Sequence, residues 1–72
     1  MNKRVQYLIE GITKDIVCFL MEDGYELTEA FGVFYNSETF AKLSDEETGL
    51  YVESSSFVYD ILKSELKYGK IQ

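Results

Sequence analysis

The chain contains no histidine, no proline and no tryptophan, and its one cysteine is Cys18. The missing histidine and the single cysteine each remove a class of function. Without histidine, neither Cys18 nor any serine has the usual general base, so the common nucleophilic triads cannot be assembled. A lone cysteine forms no disulfide within the chain. One cysteine without histidine also falls short of the four donors a structural zinc normally draws from those two types. The five glycines are isolated from one another, so no glycine-rich phosphate loop is present. Positive charge is scarce too. Seven Lys and Arg face thirteen Asp and Glu, for a net charge of −6. That balance argues against nucleic acid and against an anionic membrane surface, both of which need clustered cations.

Long apolar runs are also missing. The longest, Ile16 to Met21, has six residues, whereas a membrane span takes about twenty. The basic start is followed by Glu10 inside what would be a signal-peptide core, and no small-residue cleavage site follows. With a free thiol, the expectation is a reducing cytoplasm.

What is present is enough for one folded domain over residues 1–72. The apolar fraction is 46%, with eleven aromatics, which argues against disorder. A domain this small buries only about 60% of its unfolded surface. With disulfide and metal removed, regular helix packing or association must supply its stability.

Helical periodicity dominates. Val5, Leu8, Ile9, Ile12, Ile16, Phe19 and Leu20 recur at steps of three and four, which predicts a long first helix over residues 3–23. Gly24 suits its stop. Thr28 is a candidate N-cap for a second helix, with Ala30, Phe31, Phe34 and Tyr35 as its apolar face. Gly32 there either permits a close backbone approach or is merely tolerated. Asn36-Ser37 breaks the helix, and Ser37 can cap a short third one holding Phe40 and Leu43. Ser44 and Glu47 have capping-box spacing. Leu50 to Val52 reads as extended. A last helix spans roughly 55–68, with several serines to cap it and Gly69 to stop it. Lys67 and Lys70 stand near its negative end. The expected fold is all-α: a small bundle of three main helices plus a short helical turn.

Few chemical constellations survive inspection. Cys18 lies in an apolar run with only Lys14 near it, which reads as an inert thiol. Asp45, Glu46 and Glu47 would need a glycine sixth and a glutamate twelfth to open a calcium loop. Counted from Asp45, the glycine is fifth and the twelfth residue is Ser56. A helix-turn-helix over 16–43 would place Thr28 to Tyr35 in the DNA groove, and that segment has no Lys or Arg. Neither a catalytic residue, a cofactor site nor a metal site is expected.

Two features point to a partner. From Glu22 to Glu53 the chain has nine acidic residues and one basic residue, Lys42, together with six of the eleven aromatics. Such a segment either meets a basic protein or keeps the domain dissolved while its aromatics fill the core. The back of the first helix carries Tyr7, Cys18 and Met21, with Val17 beside them. A helix apolar on two sides is either central in its fold or docked to another chain.

The blocks Phe34-Tyr35-Asn36-Ser37-Glu38-Thr39-Phe40 and Asp45-Glu46-Glu47-Thr48-Gly49-Leu50-Tyr51 also resemble a bacterial family of short proteins of unknown function. The end, Ser56 to Leu66, fits the same pattern. The resemblance covers about Ile12 to Leu66, loosely over 24–33. The family has no established enzymatic activity, and its genes often lie beside those of proteins similar to ADP-ribosyltransferases. The resemblance therefore implies an antitoxin-like role, restraining a neighbouring protein.

The functional expectations follow in order. The first is a protein-binding module whose acidic turn, Asp45, Glu46 and Glu47, meets a basic groove with Tyr51 as aromatic anchor. The alternative is a homodimer formed through Tyr7, Cys18 and Met21. A DNA-binding regulator comes last.

Overall fold

The isoleucine and leucine stripe of the first helix organises the chain. In the computed structural model, which describes residues 2–69, that helix is α1 (Lys3–Glu22). Its twenty residues span about 30 Å, close to the longest dimension of the fold, 33 Å. The Asn2 side chain accepts from the Val5 N–H at 2.8 Å and starts the helix. At the other end, Tyr25 N–H donates to the Leu20 carbonyl and Gly24 N–H to that of Met21. This paired closure requires a left-handed residue between helix and loop, and Gly24 supplies it at φ 107. The helix expected over 3–23 thus ends one residue earlier, with Asp23 as its cap.

The remaining elements are α2 (Leu27–Tyr35), α3 (Glu38–Ser44), two single 3-10 turns (Glu46–Thr48 and Leu50–Val52) and α4 (Ser55–Tyr68). The fold is the expected all-α bundle, with no strand among the described residues. Its short third segment is a seven-residue helix. Leu50 to Val52, expected extended, is a 3-10 turn that buries Leu50. Apolar burial on one side of three residues fits a tight turn as well as an extended run.

Two caps differ from expectation. α2 begins at Leu27 rather than after Thr28, because the Glu29 carboxylate accepts from the Glu26 N–H at 3.1 Å and fixes the start there. Ser44 belongs to α3, and the Asp45 carboxylate, accepting from Glu47 N–H at 3.0 Å, caps the turn that Ser44 was expected to cap. The Asn36-Ser37 break is as expected. Ser37 accepts from Phe40 N–H at 3.0 Å, and the Asn36 amide donates back to the Gly32 carbonyl at 2.8 Å. α4 matches its expected span, capped by Ser54 and closed at Gly69. Lys70 lies outside the described residues.

α1 is the central element, packing against α2, α4 and the second 3-10 turn. Ile16 and Leu20 of α1 meet Ala30 and Phe34 of α2, Leu43 of α3, and Val58 and Leu62 of α4, all nearly or fully buried. Each of these side chains larger than Ala30 contributes roughly 1.5–3 kcal/mol of transfer free energy. α4 is tied to α1 at its start, where the Ser55 hydroxyl donates to Asp15 at 2.7 Å. Further along, the Tyr59 hydroxyl donates to Asp23.

Candidate functional site

α2 is only nine residues long, yet it carries more apolar side chains than one face can bury. Ala30 and Phe34 point into the core. Leu27, Phe31 and Tyr35, each four residues from the next, form a second stripe beside it. That stripe stays open: Leu27 is 52% exposed and Tyr35 49%. Phe31 stacks on Tyr35 at 5.6 Å between centroids, and Tyr35 meets Phe40 of α3 edge-on at 4.9 Å. Opposite this aromatic wall stand Val17, Cys18 and Met21 of α1. Between them runs an apolar groove of about 530 Å³, with Glu10 and Lys14 on its α1 rim. Its volume falls in the range of ligand sites, about 300–1,000 Å³, but its open shape suits side chains presented by another protein.

The two sets of residues expected at the surface fare differently. Of the self-association set, Cys18 and Met21 line the groove, while Tyr7 stands on the same helix outside it, 75% exposed. Val17, expected beside them, is buried because α2 covers that side of α1. Central placement of α1 therefore covers only part of its apolar back.

Asp45, Glu46 and Glu47 are exposed and adjacent: Asp45 caps the first 3-10 turn, and Glu46 and Glu47 lie in it. Gly49, at φ 66, makes the left-handed turn that follows. Tyr51 is partly buried, packs on the core, and borders a small hollow with Val5 and Leu8 near the start of α1. An aromatic anchor reaching into a partner would stand clear of its own core, and Tyr51 does not.

The most perturbed carboxylate lies elsewhere. Glu65 of α4 accepts from the N–H groups of Glu38 and Thr39 at 2.8 and 2.9 Å, and from the Thr39 hydroxyl at 2.7 Å. Burial pushes its carboxyl up, but these hydrogen bonds outweigh burial and hold it below the ordinary glutamate value. It sits at the positive N-terminus of α3 and fastens that helix to α4. The Tyr59 phenol is held well above its ordinary value, first by burial, then by its hydrogen bond to Asp23 and the nearby negative charges. Both groups are tied into the fold rather than aimed into a cavity.

No described helix is long and apolar enough to cross a membrane. No family model, no curated protein and no solved structure matches the chain.

Sequence reasoning gave Ala30, Phe31, Phe34 and Tyr35 as one apolar face and did not separate the stripe of Phe31 and Tyr35 from that of Ala30 and Phe34. The available signal was the excess: Leu27, Ala30, Phe31, Val33, Phe34 and Tyr35 are too many apolar residues for one side of a nine-residue helix.

Proposed function

We propose that this chain is a protein-binding module, and that its docking surface is the groove between α1 and α2. The supporting observation is the open stripe Leu27, Phe31 and Tyr35 facing Met21 and Cys18. Small proteins seldom leave contiguous apolar surface uncovered unless something docks there. The aromatic wall offers rigid contact area at little cost in side-chain entropy, as hot spots do.

A second surface supports a basic partner. The segment Glu22 to Glu53 carries nine acidic residues against Lys42 alone, and Asp45, Glu46 and Glu47 are exposed on it. An acidic surface of this kind steers a positively charged protein toward it. An antitoxin-like role, holding a basic neighbour, is the finer form of this second reading. The exposed Cys18 thiol suits a reducing cytoplasm.

The two surfaces separate by substitution. Proteins captured by the parent chain are compared with those captured by Leu27→Glu and by the pair Glu46→Lys and Glu47→Lys. Loss of partners with Leu27→Glu alone identifies the groove. Loss with the acidic-turn pair alone identifies the turn. Partners retained by both variants would remove both surfaces from consideration.

A further inference from the structure

α1 carries a stripe spaced in alternating fours and threes: Lys3, Tyr7, Glu10, Lys14, Val17 and Met21. This is the spacing of a helix-pairing seam. The stripe is symmetric about residue 12, near the middle of a helix that runs from Lys3 to Glu22. Two copies of α1 laid antiparallel with their two-fold axis at residue 12 therefore bring the stripe onto itself. Glu10 of each copy faces Lys14 of the other and Lys3 faces Met21, while Tyr7 comes over the floor of the groove at Val17, which α2 leaves only 4% exposed. Among the registers that keep the stripe in contact, only this one sets Glu10 against Lys14. A parallel pair sets Glu10 on Glu10 and Lys14 on Lys14. An antiparallel pair centred on residue 10 or 14 sets one of those like charges on itself.

The groove completes the match. A knob at position 7 of one helix enters the hole made by positions 14, 17, 18 and 21 of the other. Those residues, Lys14, Val17, Cys18 and Met21, line the groove on its α1 side. Among the described residues Tyr7 is the most exposed large apolar side chain, at 75%. Neither Glu10 nor Lys14 has an ion-pair partner among the described residues, and the one such pair there is Lys63 with Asp60.

From this complementarity we propose that the occupant of the groove is Tyr7 of a second copy of this chain. The assembly is an isologous homodimer built on antiparallel α1 helices, with Glu10 and Lys14 paired twice across the two-fold. The proposal rests on the groove being a docking surface and names what fills it. It also places the two Cys18 thiols on opposite sides of the axis. Six residues each from the centre, at 1.5 Å per residue, they stand about 18 Å apart along the helices, beyond disulfide reach.

Sedimentation of the full chain from micromolar to millimolar concentration tests it. The parent is expected to dimerise. Glu10→Lys and Lys14→Glu each turn two attractive pairs into two repulsive ones. Each variant should weaken the dimer about 30-fold, which is roughly 2 kcal/mol for the two pairs. Mixing the two variants should restore association, because each then faces the opposite charge, and the double variant should restore it alone. Tyr7→Ser, at an exposed position, should keep the helical spectrum and lose the dimer. In a Cys18→Ser background, Glu10→Cys and Lys14→Cys chains should cross-link when mixed and not when separate.

A parent that stays monomeric at millimolar concentration overturns the proposal. So does a double variant as weak as the single ones, or cross-linking in either unmixed sample. The groove itself is judged separately. A monomeric parent whose partners are lost with Leu27→Glu refutes the second copy and leaves the docking surface standing. A dimer insensitive to Leu27→Glu and to the charge exchanges overturns the proposal, and the groove is then decided by partner loss with Leu27→Glu.

Discussion

Glu65 and Thr39 are twenty-six positions apart, yet one carboxylate oxygen of Glu65 accepts from both the N–H and the hydroxyl of Thr39, at 2.9 and 2.7 Å. Thr39 is fully buried, so its hydroxyl depends on this partner. Glu65→Ala leaves that hydroxyl and the start of α3 without an acceptor, and should cost about 2 kcal/mol in urea unfolding. Glu65→Gln keeps an acceptor for Thr39 but loses the charge, and should cost about 1 kcal/mol.

The same contact sets the acid limb of stability. The Glu65 pKa is lower in the folded chain than in the unfolded one. Its contribution is therefore complete above the ordinary glutamate value, near pH 4.3, and is lost as pH falls through the depressed folded value. Unfolding free energy measured between pH 6 and pH 3 should fall less steeply for Glu65→Gln than for the parent.

Tyr59 governs the alkaline side. Its folded pKa is raised, so the unfolded chain loses the phenolic proton first. Stability is intact below about pH 10 and declines above it, as the unfolded state ionises while the folded state keeps its proton. Tyr59→Phe removes the hydrogen bond to Asp23, lowering stability at neutral pH by about 1 kcal/mol. Parent and variant should then converge as pH rises beyond 10.

Glycine substitutions should split by position. A Cβ at Gly32, inside α2, meets nothing within 4 Å. No close backbone approach is made there, and Gly32→Ala should stabilise the fold by about 0.5–1 kcal/mol. A Cβ at Gly49 meets nothing either, but φ is +66. Gly49→Ala should destabilise by about 1 kcal/mol for conformational reasons alone. Thermal melting of the two variants against the parent decides both.

The sequence was most informative where one element could be read by itself. α1 and α4 are long enough to show their period, and Gly24 and Gly69 stand where their last turns close. It was least informative where a contact joins distant residues or an element is very short. Glu65 looks like any charged residue on a helix, because its donors lie twenty-six and twenty-seven positions away. Three residues of 3-10 turn at Leu50 carry no period to distinguish them from an extended link. The start of α2 was misplaced because Glu26, an uncommon cap, is held there by Glu29. The groove was half legible. Cys18 and Met21 were visible as a second apolar side of α1, but the wall opposite them depends on how α2 is rotated.

α3 has seven residues, too few to persist as a helix on its own. Its first turn is held by a carboxylate from α4, while its Phe40 closes one end of the aromatic wall. α4 therefore acts as a backstop for a groove it does not line. A change that lifts α4 from the bundle releases α3, and the wall it braces slackens on the far side of the molecule.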